Sequence, residues 1–158
     1  MRREIPLDEK NIGEFINIEN EEGQKIEKGL NELEDELDRL SFMSGEANII
    51  RGEVKEEGGT NIIYFISHSK SSDRANKFVV AQDKDKNSLI FVSTPRKIHA
   101  LHQDILDALQ RHIDKLECIG GGEIKLDPVS IYGSSSDYGE VPLEIRKKLQ
   151  KEIENRMQ

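Results

Sequence analysis

The residues best suited to chemistry lie between positions 99 and 139, which contain a histidine-bearing segment, a triple glycine and a serine-rich turn. An imidazole titrates near neutral pH, so His102 is a candidate general base or nucleophile. The amides and hydroxyls of a turn such as Ser134–Asp137 can form an anion-binding site. Together these features could hold a small anion between a histidine and a set of hydrogen-bond donors.

His102 also has a purely structural interpretation. It lies four residues after Ile98 and four before Leu106, at the margin of a predicted apolar helix face, where a histidine is often only hydrogen-bonded. His99 lies nearly one turn earlier, so the pair could share a metal. However, no carboxylate stands at a standard third-ligand spacing and no HExxH pattern occurs. We therefore expect neither a metal site nor a cofactor.

The triple glycine Gly120–Gly122 interrupts a segment that otherwise reads as a strand, ECI followed by EIKL. Glycines inside a strand weaken it, so they mark a bulge or a place where another group approaches the backbone closely. The pattern is neither GxGxxG nor a P-loop, and it gives no support for a nucleotide site.

Composition and charge restrict the class of protein. The chain has 158 residues, about a third of them charged, and a net charge of -8. With no basic stripe to neutralise phosphates, we expect no nucleic-acid partner and no anionic membrane partner. The single cysteine, Cys118, and the absence of an apolar N-terminal run or membrane-length segment predict a soluble, cytoplasmic protein.

Helical patterns flank a group of strand-like segments. Thr94 as N-cap, Pro95 at the first helical position and an apolar stripe predict a helix over Pro95–Leu116, about 33 Å long. The tail Pro142–Gln158 has the pattern of a second amphipathic helix. Strand-like segments lie between residues 47 and 93, and they form two candidate hairpins, Ala47–Val54 with Asn61–His68 and Lys77–Gln82 with Ser88–Ser93.

This order predicts an α+β fold, with a mixed β-sheet on which a long histidine-bearing helix and a C-terminal helix pack, plus an N-terminal helical extension. The extension's helix, from about Glu21 to Phe42, carries five apolar residues at heptad-like spacing. The stripe can pack on the domain's own core or form a homodimer helix, and spacing alone leaves both alternatives open. Its residues are Ile26, Leu30, Leu33, Leu37 and Leu40.

Three strings together resemble the janus/ocnus family, which includes protein phosphohistidine phosphatase. They are HxDIxD at His102–Asp107, ECIGGGxI at Glu117–Ile124 and IYGSSSDYG at Ile131–Gly139. The resemblance extends with less detail back to Gly58, where TNIIYFISHS is similar to the family's first core strand. It implies a domain over residues 46–158, preceded by the helical extension at 1–45.

The resemblance implies metal-free removal of phosphate from a phosphorylated protein or a small phosphoramidate. His102 falls on the family's catalytic histidine, as general base or as nucleophile. The phosphate would be held by the serine turn and the neighbouring glycines, namely Ser135, Ser136, Asp137, Gly121 and Gly122.

Two positions depart from the family pattern. Glu123 stands where the family has an arginine after the triple glycine, and an ungapped alignment puts Asn61 where the family has a lysine on its first core strand. Loss of two cations and gain of an anion would weaken phosphate binding. The alternative function is therefore a non-catalytic binding or regulatory module on the same fold.

Overall fold

The computed structural model describes residues 26–45, 49–55, 60–67, 75–83, 88–126 and 128–157. It contains a mixed six-stranded sheet and three helices, so the predicted α+β class is confirmed. The elements in chain order are α1 (26–43), β1 (Ile49–Val54), β2 (Asn61–Ser67), β3 (Asn76–Asp83), β4 (Ser88–Thr94), α2 (His102–His112), β5 (Leu116–Leu126), β6 (Val129–Tyr132) and α3 (Leu143–Met157).

The strands lie in the order β1-β2-β4-β3-β5-β6. Both predicted hairpins are confirmed, since β1 pairs antiparallel with β2 and β3 pairs antiparallel with β4. The two hairpins join through a parallel pairing of β2 with β4, and the remaining pairs are antiparallel. The turns of both hairpins lie outside the described residues.

Helices cover both faces of the sheet. One face packs against α1 and α2, which contribute Leu33, Leu37, Ile105 and Leu109 to a core that also contains Val79. The opposite face packs against α3, whose apolar edge was predicted correctly; its core includes Phe78, Phe91, Leu149 and Ile153. Because both faces are covered, the central strands β3 and β4 contain unbroken apolar runs, FVVA and LIFV, instead of alternating apolar and polar residues.

The helix over Pro95–Leu116 was predicted too long, because α2 runs only from His102 to His112, about 16 Å. Thr94 does not cap it: the residue stays in β4, and its hydroxyl hydrogen-bonds His99 Nδ1 at 2.9 Å. Pro95 instead starts a single turn, whose carbonyl accepts from the amides of Ile98 and His99.

The apolar spacing continues past the end of α2 for a tertiary reason. Ile113 has extended backbone angles and Lys115 turns the chain into β5, yet Ile113 and Leu116 are both buried in the same core as the helix. The apolar spacing therefore marks residues that are buried in the same core, although they lie in a helix, a turn and a strand.

The leucine stripe of α1 lies in the core of a single chain. Leu30, Leu33 and Leu37 are at most 1% exposed and pack with α2, whereas Ile26 is 37% exposed. This arrangement matches the first of the two alternatives, in which the stripe belongs to the domain's own core. Homodimerisation through the stripe stays a prediction.

Charged contacts also tie α1 to the rest of the domain. Arg51 on β1 pairs with Glu27 and Glu34 at 2.9 Å each. Glu36 pairs with Arg111 at 2.7 Å and with His112 at 3.1 Å. Burial alone would raise the pKa of Glu36, but hydrogen bonds from Arg111 and His112 outweigh it and hold the pKa below its ordinary value. The resulting stabilisation is present above the ordinary carboxyl pKa and is lost as pH falls through the lower folded-state pKa.

Within the described part of the chain, no helix has the length and apolarity needed to cross a membrane.

The substitution Leu33→Ala tests whether the stripe is core. It should lower the free energy of unfolding by about 3 kcal/mol, because it leaves a cavity between α1 and α2. Ile26→Ala, at the exposed start of the same stripe, should cost less than about 1 kcal/mol. Urea unfolding at several protein concentrations measures both, and a midpoint that rises with concentration would instead indicate a dimer.

Candidate functional site

His102 is the first residue of α2, and a local hydrogen bond defines that start. The Asp104 carboxylate accepts from the amide of Leu101 at 3.0 Å, while Leu101 itself has extended backbone angles. A carboxylate in the first turn also interacts favourably with the helix dipole. The imidazole is thereby placed at the end of α2 that lies over the triple glycine of β5.

The imidazole of His102 is held by the backbone of β5. Its Nε2 lies 3.0 Å from the carbonyl oxygen of Gly122. Since a carbonyl only accepts, Nε2 carries the proton, and in the neutral ring Nδ1 is then the atom with a free lone pair. The ring edge formed by Nε2 and Cδ2 faces β5, so Nδ1 lies on the other side of the ring.

Gly121 lies where α2, β3 and the serine turn meet. A Cβ added there would lie 2.8 Å from the Phe78 carbonyl oxygen, 3.0 Å from His102 Cδ2 and 3.2 Å from Ser135 Cβ. Glycine is the residue that permits this close approach. The triple glycine also coincides with a bulge, because Val80 pairs with Gly120 but the next residue of β3 pairs with Cys118.

The serine turn is closed by its own hydrogen bonds. The buried Ser135 hydroxyl accepts from the amides of Asp137 and Tyr138 at 3.3 and 3.2 Å. Ser135 and Gly139 exchange two backbone bonds, and the Gly139 carbonyl accepts from the Gly121 amide at 3.1 Å. Gly139 has a φ of +81°, the left-handed conformation that this closure requires.

Because of these hydrogen bonds, only some amides of the turn are available to donate to an anion. Four amides of the turn, those of residues 135 and 137–139, already have acceptors inside it. In the part of the chain that the structure describes, the amides of Ser134 and Ser136 have no acceptor. Ser136 and Asp137 are exposed, whereas Ser135 is buried next to Gly121. The Gly121 amide is likewise engaged by the turn.

A second contact joins the turn to α2. The Tyr138 hydroxyl donates to Gln103 Oε1, and Gln103 directly follows His102. Burial raises the pKa of Tyr138, so this hydroxyl keeps its proton at neutral pH. The histidine and the turn are therefore fixed relative to each other through both β5 and the first turn of α2.

Glu123 lies beside this site, as the sequence predicted, but it is not isolated. Its carboxylate pairs with Arg96 at 3.4 Å, and the Tyr132 hydroxyl also hydrogen-bonds it. Burial and then the charge of Glu123 raise the pKa of Tyr132. Arg96 is about half exposed, and this contact places its guanidinium at the rim of the site.

Sequence reasoning missed Lys77. In the sheet it pairs with Glu123 of β5 and Thr94 of β4, two residues from Val79, which pairs with Gly121. Directly opposed residues share a face of the sheet and alternate residues return to it, so Lys77 lies on the face that carries His102. The described residues include no acceptor or ion-pair partner for its ammonium group. The sequence did contain a signal for this residue, namely a single lysine directly before the apolar run FVV.

Asn61 does not line this site. Phe65 is level with Gly121 through the successive pairs with Val92 and Val79, and Asn61 lies four residues earlier on β2. That offset is about 13 Å along the strands, on a strand three positions away in the sheet.

His99 has a structural role. It is 7% exposed, its Nδ1 is bonded to Thr94, and burial lowers its pKa, although Asp104 and Glu36 oppose the shift. The described residues contain no cluster of three or more side chains able to hold a metal ion.

The substitution Gly121→Ala should separate His102 from the serine turn. Its methyl group must displace the Phe78 carbonyl or the imidazole, which should cost about 1–3 kcal/mol and shift the ring resonances of His102 in NMR spectra. Gly139→Ala is the control, since an added Cβ there meets nothing within 4 Å and only backbone strain of about 1 kcal/mol is expected. Unchanged ring resonances in Gly121→Ala would contradict the packing described above.

A search of curated proteins and a search of solved structures gave no match. A model of the Janus/Ocnus family matches residues 71–156. This match begins after β2, so Asn61, to which the resemblance assigned the family's lysine position, lies outside the matched residues; the first matched strand is β3, which carries Lys77. Because the match covers more than half of the chain and includes the histidine, the triple glycine and the serine turn, the protein belongs to the Janus/Ocnus family.

Proposed function

We propose that this protein is a metal-independent phosphohydrolase that cleaves the P–N bond of phosphohistidine or of a small phosphoramidate. The observation that carries the proposal is the hydrogen bond from His102 Nε2 to the Gly122 carbonyl. It orients the ring and leaves Nδ1, on the side of the ring away from β5, as a proton acceptor or nucleophile. Family membership supports the same activity through the matching motifs.

Phosphoryl transfer requires positioning and charge stabilisation at the phosphate oxygens. Lys77 supplies a positive charge on the face of the sheet that carries His102. Arg96 supplies a second, because its 3.4 Å contact with Glu123 is long and half exposed and an anion can compete for the guanidinium. The amides of Ser134 and Ser136 supply neutral donors. Of the residues that the resemblance assigned to phosphate binding, Ser136 has an amide with no acceptor among the described residues.

The reaction follows from these groups in one of two ways. As a base, Nδ1 takes a proton from water, the water oxygen attacks phosphorus, and the P–N bond breaks as the leaving nitrogen takes a proton. As a nucleophile, Nδ1 attacks phosphorus, the P–N bond of the substrate breaks as its nitrogen takes a proton from solvent, and water then hydrolyses the phosphorylated imidazole. Both routes give phosphate and the free amine or imidazole, and both need His102.

The substitution His102→Ala tests the activity. Turnover of phosphoramidate and of a phosphohistidine peptide, with EDTA present, should fall at least about 100-fold, the usual contribution of a general base. The matched control is His112→Ala, which removes the histidine at the other end of α2, about 15 Å away, and should retain activity. Thermal unfolding of each variant checks that the domain is folded.

Two outcomes would contradict the proposal. The wild-type protein could leave both substrates intact, or the two histidine variants could lose activity equally. Trapping of a phosphorylated His102 in a rapid acid quench would identify it as the nucleophile, and its absence during turnover would favour the base.

The substitution Lys77→Met tests the assignment of the phosphate cation. Loss of one charge-assisted hydrogen bond should weaken inhibition by inorganic phosphate about tenfold or more. Lys147→Met removes an exposed lysine of α3, on the far side of the sheet, and should leave the inhibition constant unchanged. If both substitutions weaken inhibition by phosphate equally, Lys77 does not bind phosphate directly and acts only through the net charge of the protein.

The second candidate function is a non-catalytic binding or regulatory module. Glu123 favours it, because a carboxylate one residue from Gly122 repels phosphate. Under this alternative the wild type is inactive, and Glu123→Gln strengthens phosphate binding without producing turnover. Titration of both proteins with inorganic phosphate, followed by NMR of the Ser134 and Ser136 amides, distinguishes the two functions.

A further inference from the structure

A buried arginine on α3 contacts the segment that forms the serine turn. Arg146 is 8% exposed, although arginine is almost never this buried unless its charge is paired. It lies on the opposite side of β5 and β6 from α2, on the helix whose apolar edge packs in the second core. Neither the predicted catalytic residues nor the candidate phosphate donors include it.

The guanidinium of Arg146 binds both ends of the turn. Its Nε donates to the Val141 carbonyl at 3.0 Å, and one terminal nitrogen donates to the Gly133 carbonyl at 2.6 Å. The same side chain pairs with Glu140 at 3.0 Å. Gly133 and Val141 directly flank residues 134–140, so one rigid side chain connects the chain entering the turn with the chain leaving it.

This geometry is specific to the planar fork of arginine. A lysine ammonium is a single point of donation at the end of a flexible stem, and it cannot reproduce the separate Nε and terminal-nitrogen contacts. The charge partner, Glu140, is mostly exposed, so that ion pair contributes little on its own. The two carbonyl contacts are therefore the significant ones.

We infer that Arg146 is a positioning residue that holds the serine turn in the conformation that presents the Ser134 and Ser136 amides to the substrate phosphate. It touches no reacting atom and acts through the turn. The inference rests on the proposed function for its substrate, whereas the effect of Arg146 on the turn is independent of any activity.

The experiment uses the full chain and three variants: Arg146→Met, Arg146→Lys and, as the matched control, Gln150→Ala. Gln150 also reaches from α3 to the backbone, where it accepts from the Ile131 amide at 3.4 Å, but it does not contact the turn. Amide hydrogen exchange is measured at Ser135 and Gly139, which bond each other across the turn, and at Val92 in the core of β4. The kcat and KM for phosphoramidate are measured in parallel.

In Arg146→Met and in Arg146→Lys, exchange at Ser135 and Gly139 should accelerate at least about tenfold while exchange at Val92 is unchanged. The KM should rise about tenfold with a smaller change in kcat, and Gln150→Ala should match the wild type. Equal acceleration at Val92 and at the turn would overturn the inference, because it would show general destabilisation. If the Ser135 and Gly139 amides exchange as slowly in Arg146→Lys as in the wild type, the two separate carbonyl contacts are not required and the inference is wrong.

The two proposals fail in different ways. If the wild type shows no turnover, the phosphohydrolase proposal fails, and local opening of the turn in the arginine variants still supports the positioning role. If the wild type is active but the turn opens without any change in kcat/KM, the inference about Arg146 is wrong and the phosphohydrolase proposal stands.

Discussion

The close approach of α2 to β5 at Gly121 is the constraint on which the rest of the site depends. Because Gly121 has no side chain, the imidazole of His102 and the Cβ of Ser135 come together over one residue of the strand. The Gly122 carbonyl then orients the ring, and the Gly121 amide binds the end of the serine turn. A methyl group at this position would push α2 and the serine turn away from β5. The site therefore requires a residue without a side chain here.

Charges of both signs surround this point. Lys77 and Arg96 bring positive charge to the face that carries His102, and Glu123 lies directly opposite Lys77 in the sheet and pairs with Arg96. A purely cationic pocket would favour any small anion, whereas this arrangement makes Arg96 available only when an anion competes with Glu123. Under the proposed phosphohydrolase function this carboxylate lowers the affinity for phosphate, and under the binding-module alternative the same charge is the reason for inactivity.

The site is supported from both sides of the sheet. On one side, α1 lies outside the region that matches the family, yet it packs its leucines against α2 and pairs Glu36 with Arg111 and His112 near the end of that helix. On the other side, α3 reaches the turn through Arg146. The helix that carries His102 and the turn that faces it are thus positioned by different parts of the chain, and the strand β5 is what they share.

The sequence by itself determined the local elements and the order of the site motifs. Apolar periodicity and turn residues predicted both hairpins, α1, α3 and the α+β class, because these depend on contacts between near neighbours in the chain. The start of α2 was wrong, since the hydroxyl of Thr94 bonds His99 rather than the helix amides. The roles of Lys77 and Arg146, and the distance of Asn61 from His102, were decided only by tertiary structure. Strand register and the packing of α3 bring together residues that are far apart in sequence, and no local pattern records which of them will meet.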